Sequence, residues 1–220
     1  MSEARDAVFA SIRENLARDR SRGPRTTPPT LASPPAPTGE SRIQRFVDVL
    51  AGLGTAVRRV PDEAAAAAAV QEVLSEAAVT RLALSDSALV QRLASTLSVP
   101  ERIEATAPRE QLLSAEAGLS CAQWGIAETG TLILESERER HRLVSLLPPL
   151  HIAILETRSL LDTLGEGLSA VHRDRVDQLD RAITFITGPS RTADIELTLV
   201  IGVHGPKRLH VILLDPESPT

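Results

Sequence analysis

Apolar residues recur at four-residue spacing near the start of the chain, at Ala4, Val8, Ile12 and Leu16, with Arg, Asp and Glu filling most positions between them. Positions four apart share one helical face, so the spacing predicts an amphipathic helix over residues 4–20. From Ser21 to Glu40 the periodicity vanishes and six of twenty residues are proline, a composition that predicts a semi-extended linker. A lone helix of this length is marginal in water, so the arm is expected to dock on its own domain, a neighbouring subunit or another protein.

Beyond the linker the pattern alternates. Ile43 to Leu53 reads as helix, Thr55 to Val60 as extended, Asp62 to Ala77 as helix, Arg81 to Ser85 as extended and Ser87 to Leu97 as helix. Pro61-Asp62-Glu63 opens the second of these helices with acidic residues, and the six alanines Ala64 to Ala69 carry the highest intrinsic helix propensity. Leu119 to Ile126 and Thr131 to Glu135 read as two extended segments of a hairpin. Pro148-Pro149 precedes an apolar strand, His151 to Leu155, and a helical region follows over Thr157 to Ala182 with a break near Gly165-Glu166-Gly167. Ile183 to Thr187 and Arg208 to Leu214 return to strand, while residues 195–201 fit period two nearly as well as a helical period and are assigned helix.

Helices alternating with short apolar strands predict an α/β fold in three layers. The sheet is expected to be largely parallel, with a mixed or antiparallel portion, and covered on both faces. The organisation is then an amphipathic helical arm (1–20), a Pro-rich linker (21–40) and a single α/β domain (41–220).

Composition narrows the function classes. The 220 residues are 42% hydrophobic and carry a net charge of -5 with no long run of like charge, which argues against a nucleic-acid partner. No stretch approaches the apolar length of a membrane span, and one cysteine, Cys121, can neither form an intramolecular disulfide nor hold an iron–sulfur cluster alone. A cytoplasmic location is the expectation.

Two segments hold more glycine, hydroxyl and ionisable residues than packing requires. In Trp124-Gly125-Ile126-Ala127-Glu128-Thr129-Gly130-Thr131 a glutamate stands on a turn flanked by glycines, where backbone amides can reach its carboxylate or a ligand. Glu128 is a candidate acid, base or nucleophile, against the plainer reading of an exposed hairpin glutamate. Gly188-Pro189-Ser190-Arg191-Thr192-Ala193-Asp194-Ile195-Glu196 follows a predicted strand, as anion-binding turns of open α/β sheets do, and Arg191 adds a bidentate donor for a carboxylate or phosphate. The same residues also suit a helix N-terminus, capped by Ser190 or Thr192 with Asp194 and Glu196 complementing the dipole.

His204, in the turn Gly202-Val203-His204-Gly205-Pro206, could exchange protons near neutrality or serve as a hydrogen-bonded structural group. The remaining histidines, His141, His151, His172 and His210, carry weaker signals, and no spacing indicates a metal site. Cys121, beside Trp124, is expected to be buried and inert, and Ser145 and Ser190 lack a nucleophile elbow.

With these motifs in view, the chain resembles the lactate-utilisation protein C family, whose domain is called the LUD domain. The resemblance rests on Gly125-Ile-Ala-Glu-Thr-Gly-Thr131, Leu147-Pro-Pro-Leu-His151, Thr187-Gly-Pro-Ser-Arg-Thr-Ala-Asp-Ile-Glu196 and Gly202-Val-His-Gly-Pro206. It implies a component of L-lactate oxidation to pyruvate acting with iron–sulfur companion proteins. This chain would bind no cofactor of its own, would take a small carboxylate or other anion, and could self-associate. The family's domain is similar in fold to the group of ribose-5-phosphate isomerase, glucosamine-6-phosphate deaminase and the coenzyme A transferases. Some of those transferases use a glutamate in a Glu-Asn-Gly turn, which Glu128-Thr129-Gly130 matches in part. The expected site is therefore Glu128 and His204 as catalytic residues, with Gly125, Thr129, Gly130, Gly188, Ser190, Arg191, Thr192 and Asp194 binding ligand. The alternatives are a free-standing transferase-like or sugar-phosphate enzyme using Glu128, and a non-catalytic assembly module.

Overall fold

The structure is a computed structural model and describes residues 2–20, 39–136, 140, 142–173, 182–193 and 199–215. It divides into two compact units, Met1–Ala36 and Pro37–Thr220. The first contains helix α1 (Ser2–Arg20), on which Val8, Phe9 and Ile12 are 59%, 47% and 47% exposed.

The second unit runs α2 (Gly39–Gly52), β1 (Ala56–Val60), α3 (Glu63–Glu76), β2 (Arg81–Leu84), α4 (Ala88–Thr96), β3 (Glu101–Glu104), α5 (Arg109–Ser114), β4 (Ala117–Cys121), β5 (Trp124–Ile126) and β6 (Thr131–Glu135). It continues with α6 (Arg142–Leu146), β7 (Leu150–Glu156), a 3-10 turn (Thr157–Ser159), β8 (Leu160–Leu161), α7 (Leu164–Arg173), β9 (Ile183–Ile186), β10 (Arg191–Ala193), β11 (Leu199–Ile201) and β12 (Arg208–Leu214). Six strands form a parallel sheet in the order β1-β12-β7-β4-β2-β3. A four-stranded sheet, β8-β5-β6-β9, and a two-stranded one, β10-β11, complete the strand pairing.

Side-chain alternation along the parallel strands builds the three layers. On one face Leu82, Leu84, Leu119, Ile152, Ile154 and Ile212 pack against the buried stripe Ala66, Ala69, Val70 and Leu74 of α3 and against α4. On the other, Ala153, Leu155, Val211 and Leu213 meet Phe46 and Leu50 of α2 and Leu132 and Leu134 of β6. Beside that second cluster, Ala83 and Ile103 pack against Leu112 of α5 and Val144 of α6. The start of α3 follows from its sequence: the Asp62 carboxylate accepts a hydrogen bond from the Ala65 amide at 2.7 Å, so the alanine run begins from a capped end.

Several expectations are corrected. Leu119 to Ile126 is not one extended segment: β4 ends at Cys121 inside the parallel sheet, and β5 starts at Trp124 in the other sheet as the hairpin partner of β6. The span from Thr157 opens with the 3-10 turn and β8, and α7 runs through Gly165 and Gly167 without a break. The reason is close approach: a Cβ on Gly167 would lie 3.0 Å from the Cδ1 atoms of both Ile126 and Ile133, so the glycine lets α7 settle onto the sheet. Leu199 to Ile201 is strand rather than helix, because β11 finds an antiparallel partner in β10. The strand β3 and the short helix α5 carry no clear periodic signal and were not foreseen from the pattern. Most of the predicted linker, residues 21–38, together with His141 and residues 174–181 of the predicted helix, lies outside the described residues.

Candidate functional site

The loop after β9 and the turn before β12 come together in space. The Ser190 amide donates to the Pro206 carbonyl at 2.9 Å, and the Gly202 amide donates to the Ser190 carbonyl at 2.9 Å. Both loops depend on glycine where they reverse: Gly188 has φ 86° and Gly202 φ 82°, in the left-handed region that costs a side-chain-bearing residue. Together with Ser145 and Leu146 of α6 they enclose a cleft of about 180 Å³, with His151 at its base and His204 at its rim.

The lining of this cleft is distinctive in charge. Among the described residues its ionisable side chains are the two histidines, and its other polar side chains are the hydroxyls of Ser145, Thr184, Thr187 and Ser190. His204 is exposed, whereas His151 is 0% exposed and its Nε2 lies 2.9 Å from Ser120 Oγ on the neighbouring strand β4. Such a lining offers neutral hydrogen-bonding groups and two titratable ones, with no carboxylate among the described residues to repel an anion.

Of the residues expected from the sequence, Gly188, Ser190 and His204 therefore meet at one cleft. Thr129 is linked to it at one remove, since its hydroxyl lies 2.7 Å from that of Thr131, which lies 2.7 Å from that of Thr187 on the cleft wall. Gly130, with φ 63°, turns the hairpin against Val49 and Leu50 of α2. Gly125 is a packing glycine: a Cβ there would stand 2.5 Å from Leu155 Cδ2. Glu128 is exposed; its amide donates to the Asp162 carbonyl at 3.1 Å and its carboxylate accepts from the Leu164 amide at 3.3 Å, at the start of α7. That is the geometry of a helix cap. Nearby, the buried Asp162 carboxylate is held by both arms of Arg42, at 2.7 and 2.8 Å, and this partner raises the already high Arg42 pKa.

Arg191 does not face the cleft lining. Its guanidinium donates to the carbonyl of Leu53, behind the turn. Thr192 pairs with Val200 in the β10–β11 ladder, so the expected capped helix at Ser190 or Thr192 is corrected to a strand. Asp194 and Glu196 lie outside the described residues.

The anion-turn rationale for Gly188 is corrected as well. β9 belongs to the mixed four-stranded sheet, pairing antiparallel with β6, so its end is not the crevice of the parallel sheet. The parallel sheet has its own reversal point, since β3 lies to one side of β2 and β4 to the other. A hollow of about 270 Å³ occupies that point, bordered by Ser87, Cys121, Trp124 and Glu156, with the Ser87 hydroxyl 3.3 Å from the buried Cys121 sulfur. Among the described residues no cluster of three or more His, Cys, Asp or Glu could hold a metal ion, and no helix is long and apolar enough to cross a membrane.

His151 and Ser120 are the residues sequence reasoning passed over. Each sits in a strand whose other core-facing residues are apolar or small, and a polar side chain inside such a run is the one available signal.

Comparison with known proteins gives a consistent result. The chain is 35% identical over 103 residues to a protein named lactate utilization protein C from Oceanobacillus iheyensis, covering 46% of this chain and 44% of that protein. A protein of the same name from Halalkalibacterium halodurans is 38% identical over 108 residues, covering 48% and 47%. An uncharacterized protein from Neisseria meningitidis is 39% identical over 119 residues, covering 53% and 50%. The matches thus span about half the length of these curated relatives. A crystal structure of a DUF162 family protein from Deinococcus radiodurans shares the fold at TM-score 0.62 and 24% identity, covering 81% of this chain and 99% of that one. The model of the LUD domain matches residues 43–214, nearly the whole α/β unit that carries the cleft, and the chain belongs to the LUD domain family.

Proposed function

We propose that this protein is a component of an L-lactate utilisation system, acting in the oxidation of L-lactate to pyruvate alongside iron–sulfur partner proteins and supplying no redox ligands itself. Relatives named lactate utilization protein C support the system. A single cysteine, Cys121, supports the division of labour, since a cluster needs several thiolates. The observation that carries the chain's own part is the cleft: about 180 Å³ and, among the described residues, lined by hydroxyls and two histidines with no carboxylate, it suits a small carboxylate. His204, Ser190 and the Gly188 turn would receive that ligand.

Deleting the gene and scoring growth on L-lactate as sole carbon source tests this reading. Lost growth, restored by the intact chain, is the expected result; unchanged growth would refute the role.

A second reading, an assembly module, is favoured by one feature. Helix α1 keeps Val8, Phe9 and Ile12 about half exposed, an apolar strip that suits a partner helix or groove. Co-purification from lactate-grown cells, with iron assayed in the recovered proteins, separates the cases. Loss of iron–sulfur partners on replacing Phe9 and Ile12 by Ser would assign assembly to α1, and retention would remove it.

A further inference from the structure

Strands β6 and β9 meet through a pair of threonines one step beyond their last backbone-paired residues, Leu132 and Ile186. Thr131 Oγ1 lies 2.7 Å from Thr187 Oγ1 across the strands and 2.7 Å from Thr129 Oγ1, two residues back across the Gly130 turn. These hydroxyls therefore stand in a row. A cross-strand threonine pair alone is ordinary sheet stabilisation, but the third hydroxyl and the setting go further. Thr131 is 4% exposed, Thr129 is partly buried, and Thr187 is exposed and lines the cleft beside Gly188 and Ser190. The row runs from the turn that carries Glu128 to the wall of the candidate site.

Proton counting gives the row a direction. Each hydroxyl carries one hydrogen and two lone pairs, so Thr131 can donate to only one of its neighbours. If both neighbours donated to Thr131, its own hydrogen would stay in the core without an acceptor among the described residues, which burial penalises. The two one-way arrangements remain. In one, Thr187 donates to Thr131 and Thr131 to Thr129, and Thr187 offers the cleft only lone pairs. In the other, Thr129 donates to Thr131 and Thr131 to Thr187, and the Thr187 hydrogen is available to the cleft. Hydrogen bonds that point the same way polarise one another, so the second arrangement makes Thr187 a stronger donor than an isolated threonine.

We propose that the Thr187 hydroxyl is a ligand-contacting donor of the cleft, that Thr131 is its positioning residue, and that a bound carboxylate fixes the row in the direction Thr129 to Thr131 to Thr187. The inference rests on the small-carboxylate reading given above and names side chains that deliver a hydrogen bond to that ligand. No proton changes owner: each hydroxyl keeps its hydrogen and turns about its own C–O bond. The ligand's charge supplies the selection, because a carboxylate accepts from Thr187 and cannot donate to it, whereas an ammonium ligand would favour the opposite direction.

The test uses the full-length chain labelled with ¹⁵N and titrated with sodium L-lactate, then with lactamide, its neutral analogue, while the amide signals of Gly188 and Gly205 in the cleft are followed. In the parent both signals should move along one saturation curve, with lactate bound more tightly than lactamide. Thr187→Val keeps the side-chain shape and removes the hydroxyl. Lactate affinity should then fall about tenfold, the size of one hydrogen bond to a charged group, and the preference over lactamide should shrink. Thr131→Val should weaken lactate binding in the same sense and Thr131→Ser should restore it, with urea unfolding confirming that both variants are folded. In the Thr187→Val background, Thr131→Val should cost no further affinity, because the row then has no end in the cleft.

Equal lactate affinity in the parent and in folded Thr187→Val, with Gly188 and Gly205 still responding, would overturn this inference and leave the carboxylate cleft standing. A loss in Thr131→Val that Thr131→Ser does not restore, or that persists undiminished in the Thr187→Val background, would overturn the positioning role. Gly188 and Gly205 signals that stay fixed in the parent at millimolar lactate would overturn the carboxylate reading together with this inference.

Discussion

Gly118 lies in the middle of β4, and a Cβ added there would stand 1.9 Å from the carbonyl oxygen of Val144 in α6. That separation is more than 1 Å inside contact distance, and the obstacle is backbone, so a side-chain rotation cannot relieve it. Gly118→Ala must push α6 away from the sheet. Val144 is 1% exposed and anchors α6 in the cluster with Leu112 and Ala83, so lifting the helix gives up part of its burial. Overpacking of this kind costs about 1–3 kcal/mol and partial exposure of a valine about 1 more, placing the change at about 2–4 kcal/mol. For a chain of this size that corresponds to a Tm lowered by roughly 4–16 °C.

The same displacement moves Ser145 and Leu146 in the cleft wall, so lactate binding should weaken in the folded variant. Thermal and urea unfolding followed through Trp124, the one tryptophan, supply the assay. Gly52→Ala is the control, since nothing lies within 4 Å of a Cβ there. A Gly118→Ala protein melting within about 2 °C of the parent would refute the claim that α6 is held against β4 at this contact.

Three further outcomes are expected. Arg42→Ala leaves the Asp162 carboxylate, 5% exposed, without its two-armed partner; because Arg42 itself is partly exposed, the loss should be about 1–2 kcal/mol by urea unfolding, and no loss would mean that water replaces the arginine. Glu128→Gln retains an acceptor for the Leu164 amide, so growth on lactate should persist and stability should change by less than about 0.5 kcal/mol; abolished growth with a normal fold would favour Glu128 as a catalytic group over a capping one. Burial, helped by Arg208 and Arg58 and opposed by Glu76, holds the His210 imidazole below its ordinary value of 6.5. The unfolded chain then binds the proton more readily, so stability falls as pH drops below 6.5 toward the folded-state pKa. His210→Gln should flatten that part of the pH–stability curve, and an unchanged slope would count against the burial effect.

Local signals made much of the fold legible. Asp62 and the alanine run place α3, the apolar spacing around Phe46 and Leu50 places α2, and the Gly130 turn between two apolar runs places the β5–β6 hairpin. The sequence around Leu199 to Ile201 was ambiguous, because a run of β-branched and leucine residues satisfies both periods. Only the presence of an antiparallel partner in β10 makes it strand. Gly165 and Gly167 read as a helix break for the same reason. Nothing local reveals that Ile126 and Ile133 approach Gly167 from another element, so its missing side chain is needed for contact rather than for a turn.

The sequence by itself determined the class of the fold, the glycine turns at Gly130, Gly188 and Gly202, and three residues of the cleft, Gly188, Ser190 and His204, because turn chemistry is written in consecutive residues. Only the tertiary structure decided that Arg191 turns to Leu53, that Glu128 caps α7, and that His151 forms the cleft floor beside Ser120. Those outcomes depend on which strands lie side by side. Strand order is set by burying one face of each element against another, a long-range balance that no short window of sequence contains.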